Sequence, residues 1–284
     1  AQGMIDAQES LTHAAAHTSV NPDELAIGTT GVIGVELPMA LIRAGIPNIE
    51  ITPNGGDAFA RAIMTTDRIP KSAAIQLEIN GRTITIGGCT KGSGMIHPNM
   101  ATMLAFLTTD ATLDQAFLSK ELKNACDDTF NMVTIDGDTS TNDMVIILAN
   151  GAANAKPIKN GTPEADLFSK ALKELCDYLS YQLVKDAEGS SKVFSVSIEE
   201  AKSVEDARLA ARSIASSSLV KSAIHGNDPN WGRVVAAAGY SGADLDVDKV
   251  SFFINDVTIM EAGTPIPFHR ESVIAIMSRE RVNL

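Results

Sequence analysis

The sequence predicts a mixed α/β protein, because segments with helical periodicity alternate with segments patterned as strands. Residues 72–79 and 82–86 alternate apolar and polar side chains around an Asn-Gly pair, which is the strongest short signal for a hairpin. Residues 103–107 form a short unbroken apolar run, which is typical of a buried strand. Residues 113–129 follow with an apolar stripe at helical spacing.

The remaining elements follow from the same two periodicities. Helices are predicted at 4–17, 37–44, 57–66, 162–184 and 203–217, and strands at 144–149, 192–198, 250–254 and 257–260. Residues 26–34 mix small, apolar and hydroxyl side chains around three glycines, which predicts a strand running into a tight loop. Amides of such a loop can converge on a developing oxyanion, although a plain strand-to-helix connection has the same composition.

Composition limits the function classes. The chain has 284 residues, which suits one large or two ordinary domains, and 44% hydrophobic residues, which argues against disorder. A formal charge of −12 argues against a nucleic-acid partner. No apolar run reaches the length of a membrane span, and the first residues do not resemble a signal peptide.

The cysteines do not suggest a structural metal site or a disulfide framework. Cys89, Cys126 and Cys176 are far apart and form no Cys-x-x-Cys pair. Cys126 and Cys176 fall among apolar neighbours in helical patterns, which predicts two small core residues. This usage is typical of a reducing compartment, so we expect a cytoplasmic protein.

The most informative stretch is 91–106, which reads KGSGMIHPNMATMLAF. Its glycines allow the backbone to approach a reacting carbonyl, and Thr102 stands where the apolar strand begins. If the bond between Ala101 and Thr102 were cut, the new α-amine could deprotonate the Thr102 hydroxyl and activate it as a nucleophile. The plain alternative is a β-branched residue that opens a strand after a turn.

Several other polar residues have two interpretations each. Asp136, Asp138 and Asp143 offer oxygen ligands for a metal, but their spacing differs from a calcium loop, and such residues commonly form hydrogen-bonded turns. His225 is either structural or a proton shuttle. For Glu188, between a predicted helix and a predicted strand, the residues alone suggest one interpretation, an exposed turn residue.

Residues 91–106 resemble the self-cleavage segment of the ornithine acetyltransferase family, the bifunctional glutamate N-acetyltransferases of arginine biosynthesis. Further stretches match this family in the same order, and the resemblance covers essentially the whole chain. These stretches are 29–34, 62–67, 134–143, 185–189 and 228–233.

The resemblance implies a self-cleaving enzyme. The precursor would be cut between Ala101 and Thr102, so that 1–101 belongs to an α chain and 102–284 to a β chain. Thr102 would then carry the acetyl group as an N-terminal nucleophile.

The resemblance also assigns supporting residues. Thr30 and Gly31 would form the oxyanion hole, which favours that interpretation of the glycine-rich loop. Lys91 and Thr65 would fix the substrate carboxylate, with Thr66 as an alternative to Thr65, while Glu188 would face an amino group.

The implied architecture has β-sheets sandwiched between helices, in two lobes that meet at Thr102, and an assembly of two α and two β chains. The implied substrates are N-acetylornithine and glutamate, with acetyl-CoA as a possible further donor and with neither cofactor nor metal. Against the family pattern both ends of the chain look short. Alternatives are a related N-terminal-nucleophile amidase or aminopeptidase, and an inactive truncated remnant.

Overall fold

The computed structural model describes residues 2–97 and 103–284. The chain divides into two compact units, Ala1–Ala62 and Ile63–Leu284. The predicted cleavage bond, between Ala101 and Thr102, lies outside the described residues and falls within the sequence span of the second unit.

The first unit is helical in its described residues. It contains α1 (Gln2–Thr18), α2 (Met39–Gly45) and α3 (Gly56–Ala62), with short 3₁₀ turns at Pro22–Glu24 and Ile46–Asn48. The strand predicted within 26–34 is wrong: the segment is irregular, and Val32 and Ile33 are exposed. A strand needs a hydrogen-bonded neighbour, and the described residues of this unit supply none. Helix α3 also ends four residues earlier than predicted.

The second unit is built on a four-stranded sheet, ordered β1-β2-β3-β4. Its strands are β1 (Lys71–Ile79), β2 (Arg82–Lys91), β3 (Leu104–Thr109) and β4 (Met144–Ala149). The predicted hairpin is confirmed, since Asn80 and Gly81 both have positive φ, 52° and 72°, as a tight turn between twisted strands requires. Strand β3 pairs antiparallel with β2 and parallel with β4.

Two long helices contribute to the core beside this sheet, and they pack against each other. Helix α4 (Gln115–Asp128) lies in the crossover from β3 to β4, and α5 (Pro163–Lys185) packs on β1 and β2. Both begin at side-chain caps, because Asp114 and Thr162 accept backbone amides of the first turn. Along α5 an apolar stripe at helical spacing is buried, which fixes the face turned to the sheet.

A second core gathers the later elements. Its helices are α6 (Val204–Ser216), α7 (Ser218–His225), α8 (Trp231–Gly239) and α9 (Arg270–Met277). Strands β5 (Val193–Ser195) and β9 (Arg281–Asn283) pair in parallel, while β6 (Phe252–Ile254), β7 (Val257–Glu261) and β8 (Thr264–Pro265) form a small antiparallel sheet. Helix α7 follows α6 almost directly, because Ser217 ends one helix and caps the next through its hydroxyl.

The predicted α/β class is confirmed. Cys126 and Cys176 are core residues as predicted, and all three cysteines are buried with their thiols unoxidised. None of the helices among the described residues is long and apolar enough to cross a bilayer.

Candidate active site

The site is organised around residues 92–97, the loop that continues from the end of β2 toward the predicted cleavage bond. Gly92 has a φ of 142° and Met95 a φ of 55°, so the backbone turns sharply twice within four residues. Gly92 and Ser93 are buried, although they lie outside regular secondary structure. Buried backbone groups need hydrogen-bond partners, and the described chain supplies them from both sides of this loop.

Lys91 is the last residue of β2, and its side chain is buried. It pairs in register with Leu104 of β3, the second residue after Thr102 in sequence. Burial lowers the pKa of Lys91, whereas the nearby charges of Asp67 and Asp143 act to raise it. A cation in such surroundings can hold the carboxylate of a small substrate.

One side of the loop is held by the segment that follows α3. The amide of Gly92 donates to Oδ1 of Asp67 at 2.7 Å, and the amide of Thr65 donates to Oδ2 of the same carboxylate at 3.1 Å. The hydroxyls of Thr66 and Ser93 share a hydrogen bond of 2.7 Å. Thr66 is therefore engaged with the loop, while Thr65 remains exposed beside it.

Glu188 lies against the same loop. Its amide donates to the Ser93 carbonyl at 2.8 Å. A Cβ atom built on Gly94 would lie only 2.9 Å from the carboxyl carbon of Glu188, so the carboxylate packs directly on the glycine backbone. The residue is exposed, and thus its charge is accessible to a substrate. The structure brings Thr65, Lys91 and Glu188 to one loop.

The opposite side of the loop is held by the acidic segment 134–143. The carboxylate of Asp136 accepts the amides of Met95 and Ile96, and the Ile96 carbonyl accepts the amide of Ile135 at 2.6 Å. The Asp136 carboxylate therefore binds the backbone amides of this loop. Among residues 2–97 and 103–284 no three His, Cys, Asp or Glu side chains form a group able to hold a metal ion.

Asp143 is an acidic residue of the same segment that holds none of these loop amides. It immediately precedes β4, where the Met144 amide donates to the Met103 carbonyl at 2.9 Å. Both of its carboxyl oxygens are buried without a well-formed hydrogen bond to any described residue. Burial raises the pKa of Asp143 to about 7, and the Met103 amide and Lys91 only partly offset this effect.

His97 is the last described residue before the predicted cleavage segment. Its Nδ1 lies 3.0 Å from the Thr134 hydroxyl and its Nε2 lies 3.2 Å from a guanidinium nitrogen of Arg212. Burial, followed by the charges of Arg212 and Lys221, lowers the pKa of His97. The imidazole beside this loop is therefore mainly neutral near pH 7.

A cleft of about 730 Å³ opens beside Glu188 within the second unit. Its walls include Tyr181, over which Arg281 stacks at 5.5 Å, and Lys221, whose ammonium donates to the Ile135 carbonyl. His225 also lines the cleft, as the exposed last residue of α7. The volume suits a small organic ligand.

Four further residues were predicted from the sequence to belong to the site. Ala101 and Thr102 lie outside the described residues. Thr30 and Gly31 belong to the irregular segment of the first unit, where Thr30 is half-buried and Gly31 is exposed just before a turn at Ile33. Their proposed role as an oxyanion hole stays a prediction.

Sequence reasoning missed the residues that hold the loop. Asp67 lay inside the matched stretch 62–67 but was considered only as the end of a helix. Asp136 was considered as a metal ligand. Lys71 gave no signal, because a lysine that opens an alternating strand is normally a solvated end residue.

Fold and site together define an α/β enzyme with a buried lysine and opposed carboxylates around a clamped, glycine-containing loop. Comparison with known proteins narrows this class of enzyme to one family. The chain is 47% identical over 283 residues to the arginine biosynthesis bifunctional protein ArgJ of Symbiobacterium thermophilum, covering 99% of this chain and 70% of that protein. It is 42% identical over 283 residues to the protein of the same name from Geobacillus kaustophilus, covering 99% and 69%.

A solved structure agrees. The crystal structure of arginine biosynthesis bifunctional protein ArgJ from Bacillus halodurans superposes with a TM-score of 0.62 at 37% identity, covering 64% of this chain and 88% of that one. The ArgJ family model matches residues 1–284, and the chain belongs to the ArgJ family. The predicted resemblance and the predicted enzyme class, a glutamate N-acetyltransferase, are thereby confirmed at the level of the family.

Proposed function

We propose that this protein moves an acetyl group from N-acetylornithine to glutamate through an acetyl ester on Thr102. The single observation that carries the proposal is the loop 92–97, which is clamped on both sides and leads in sequence to the bond between Ala101 and Thr102. Hydrolysis of that bond would leave an α chain, 1–101, and a β chain, 102–284. The arginine-biosynthesis relatives support the substrate class.

The chemistry runs in two halves. The Thr102 α-amine takes the hydroxyl proton as Oγ attacks the acetyl carbonyl of N-acetylornithine, and Thr30 and Gly31 donate amides to the oxyanion. The C–N bond then breaks, and the proton leaves on the ornithine amine. In the second half the amine of glutamate attacks the ester, the C–O bond breaks, and the proton returns to Oγ. The products are ornithine and N-acetylglutamate.

Substrate contacts follow from charge. The buried ammonium of Lys91 would bind the α-carboxylate that donor and acceptor share. Glu188, exposed against Gly94, would face the side-chain amine of N-acetylornithine. Of the two threonines, Thr65 is the better substrate ligand, because the Thr66 hydroxyl is bonded to Ser93.

The proposal needs no cofactor, and it leaves acetyl-CoA as a possible second donor. It also includes an assembly of two α and two β chains in the cytoplasm, where arginine-biosynthesis substrates would be met. These points rest on the family resemblance alone.

Intact-mass measurement and a transfer assay test the proposal together. We expect the purified protein to give two masses, the second beginning at Thr102, and to convert N-acetylornithine and glutamate to ornithine and N-acetylglutamate. Thr102→Ala should abolish cleavage and lower transfer by at least about 10³-fold, because the nucleophile is lost.

Thr102→Ser is the matched control, since it keeps a hydroxyl and should retain measurable cleavage and transfer. Full activity of an uncleaved Thr102→Ala protein would overturn the nucleophile. Release of acetate with glutamate left unacetylated would instead favour the amidase, and a stable protein that neither cleaves nor transfers would favour the inactive remnant.

A further inference from the structure

A buried ion-pair triad lies beneath the site. The ammonium of Lys71 contacts Oδ1 of Asp67 at 2.5 Å and Oδ2 of Asp186 at 2.7 Å. The side chains of Lys71 and Asp67 are fully buried, and that of Asp186 is 3% exposed. We refer to Asp67, Lys71 and Asp186 as the triad. Such buried charges persist only when they are paired and hydrogen-bonded.

Backbone and side-chain donors satisfy the carboxylate oxygens of the triad. Asp186 accepts the Arg68 amide at 2.9 Å and the Arg68 Nε at 3.1 Å, while Asp67 accepts the amides of Thr65 and Gly92. Burial alone would raise the pKa of Asp67, but Lys71 and these amides outweigh it and hold it below its usual value. Both carboxylates are therefore charged at neutral pH.

Each end of the triad reaches a residue predicted to bind substrate. Asp67 binds the amide of Thr65 itself and that of Gly92, the residue after Lys91. Asp186 lies two residues before Glu188, whose amide returns to the loop at Ser93. Three segments that are distant in sequence are thus joined through one ammonium group.

The triad also has an electrostatic link to the site. Asp67 acts to raise the pKa of Lys91, in addition to its contact with Lys71. Asp67 therefore acts on the pKa of Lys91 through its charge while it contacts Lys71 directly, and Asp186 supplies the second negative charge beside Lys71. Without Asp186, Asp67 would remain the sole carboxylate within 4 Å of the Lys71 ammonium among the described residues.

We propose that the triad is a positioning device that sets the spacing of Thr65, Lys91 and Glu188 for an amino-acid substrate bearing a carboxylate and an amine. This inference rests on the proposed function for its substrate. The positioning itself does not depend on the substrate. Thr65, Lys91 and Glu188 are held at fixed distances from one another because Lys71 binds both Asp67 and Asp186. Errors of about 1 Å in such separations are known to cost large factors in binding or rate.

Asp186→Asn tests the device while keeping the volume of the side chain. We expect the KM for N-acetylornithine to rise about tenfold with kcat changed by less than about threefold, because the ligands move apart while the nucleophile is untouched. Hydrogen exchange measured by mass spectrometry should speed up in residues 91–97 and 186–190.

Asp110→Ala is the matched control. Asp110 follows β3 at the opposite end of the sheet from Lys91, and its carboxylate accepts the Thr85 amide at 2.8 Å. In thermal melting Asp110→Ala should lose about as much stability as Asp186→Asn. It should keep the wild-type KM and the wild-type rate of hydrogen exchange in residues 91–97.

The outcomes separate the two proposals. Unchanged exchange in 91–97 and 186–190 of Asp186→Asn would overturn the device whether or not the enzyme is active. Faster exchange with an unchanged KM would reduce the triad to a structural element and would also overturn it. A wild-type protein that carries out no acetyl transfer would overturn the proposed function. The hydrogen-exchange data would still show whether the triad positions residues 91–97 and 186–190.

Discussion

Asp67 and Asp143 both act on Lys91, yet the protein treats them in opposite ways. Asp67 receives two amides and an ammonium, which hold its pKa below the usual value despite its burial. Asp143 has no well-formed hydrogen bond from a described residue, and burial raises its pKa to about 7. The difference teaches that burial alone does not set the charge of an acid; the number of donors does.

Of Asp67 and Asp143, only Asp67 is therefore charged throughout the neutral pH range. Asp67 contributes a fixed negative charge beneath Lys91. Burial raises the pKa of Asp143 to about 7, and Met103, whose amide acts on this carboxyl, is the residue that follows the predicted nucleophile in sequence. The fixed charge suits positioning, whereas the titrating group suits a site through which protons pass.

The largest loss of stability is expected when the Lys71 ammonium that keeps Asp67 charged is removed. Lys71→Met leaves Asp67 and Asp186 facing each other without a counter-charge, so we expect the free energy of unfolding to fall by about 3–5 kcal/mol. Urea denaturation at pH 7 measures this. Lys249→Met, which removes an exposed pair with Asp246, should leave the free energy of unfolding nearly unchanged. Equal losses of unfolding free energy in Lys71→Met and Lys249→Met would contradict the conclusion that Lys71 is a buried counter-charge.

Removing the charge of Asp67 should have an intermediate effect. Asp67→Asn weakens three charge-assisted hydrogen bonds, and we expect a loss of about 2 kcal/mol at pH 7. Because the folded pKa of Asp67 is lowered, its stabilisation is present above the unfolded pKa near 4 and is lost as pH falls through the folded value. The variant should therefore show a flatter acid limb in denaturation curves between about pH 5 and 2. Parallel acid limbs would refute this.

The smallest effect, and of opposite sign, is expected for Asp143. Its folded pKa is raised, so the folded state holds a proton that the unfolded state has lost, and wild-type stability falls as pH rises from about 4 to 7. Asp143→Asn resembles the protonated acid and should therefore be more stable than wild type at pH 8. At pH 4 the two should be equal.

Denaturation at both pH values measures the difference, and the pH profile of acetyl transfer offers a second check. A limb near pH 7 in the wild type that is absent from Asp143→Asn would assign this limb to Asp143. If the variant were as pH-dependent in stability as the wild type, Asp143 would not be the group that titrates.

Local patterns predicted the parts of the fold that local chemistry decides. The turn at Asn80 and the apolar runs that became β3 and β4 were readable, because glycine conformation and burial of a short run act within a few residues. The segment 26–34 misled, since an apolar, β-prone stretch becomes a strand only beside another strand. The helix predicted at 203–217 ends where α6 ends, whereas α7 was not predicted, although it follows α6 directly.

The site was predictable only in part for the same reason. Lys91 and Glu188 were found through their resemblance to family motifs, not through chemistry visible in one segment. Lys71 could not be recognised as buried from its neighbour Asp67 alone, because its second partner, Asp186, lies 115 positions away in sequence. A charge whose counter-charge is that distant resembles a surface residue until the chain is folded.

The pairing of β2 with β3 has a consequence for the proposed cleavage. Six register pairs, from Ile86 opposite Thr109 to Lys91 opposite Leu104, join residues on opposite sides of the cleaved bond. The Glu188 amide and the Asp136 carboxylate cross the same divide. The two chains would thus share the middle of one sheet, and a cut would create subunits without creating a separable interface. Such a protein would run as two bands in denaturing electrophoresis and as one particle in native sedimentation.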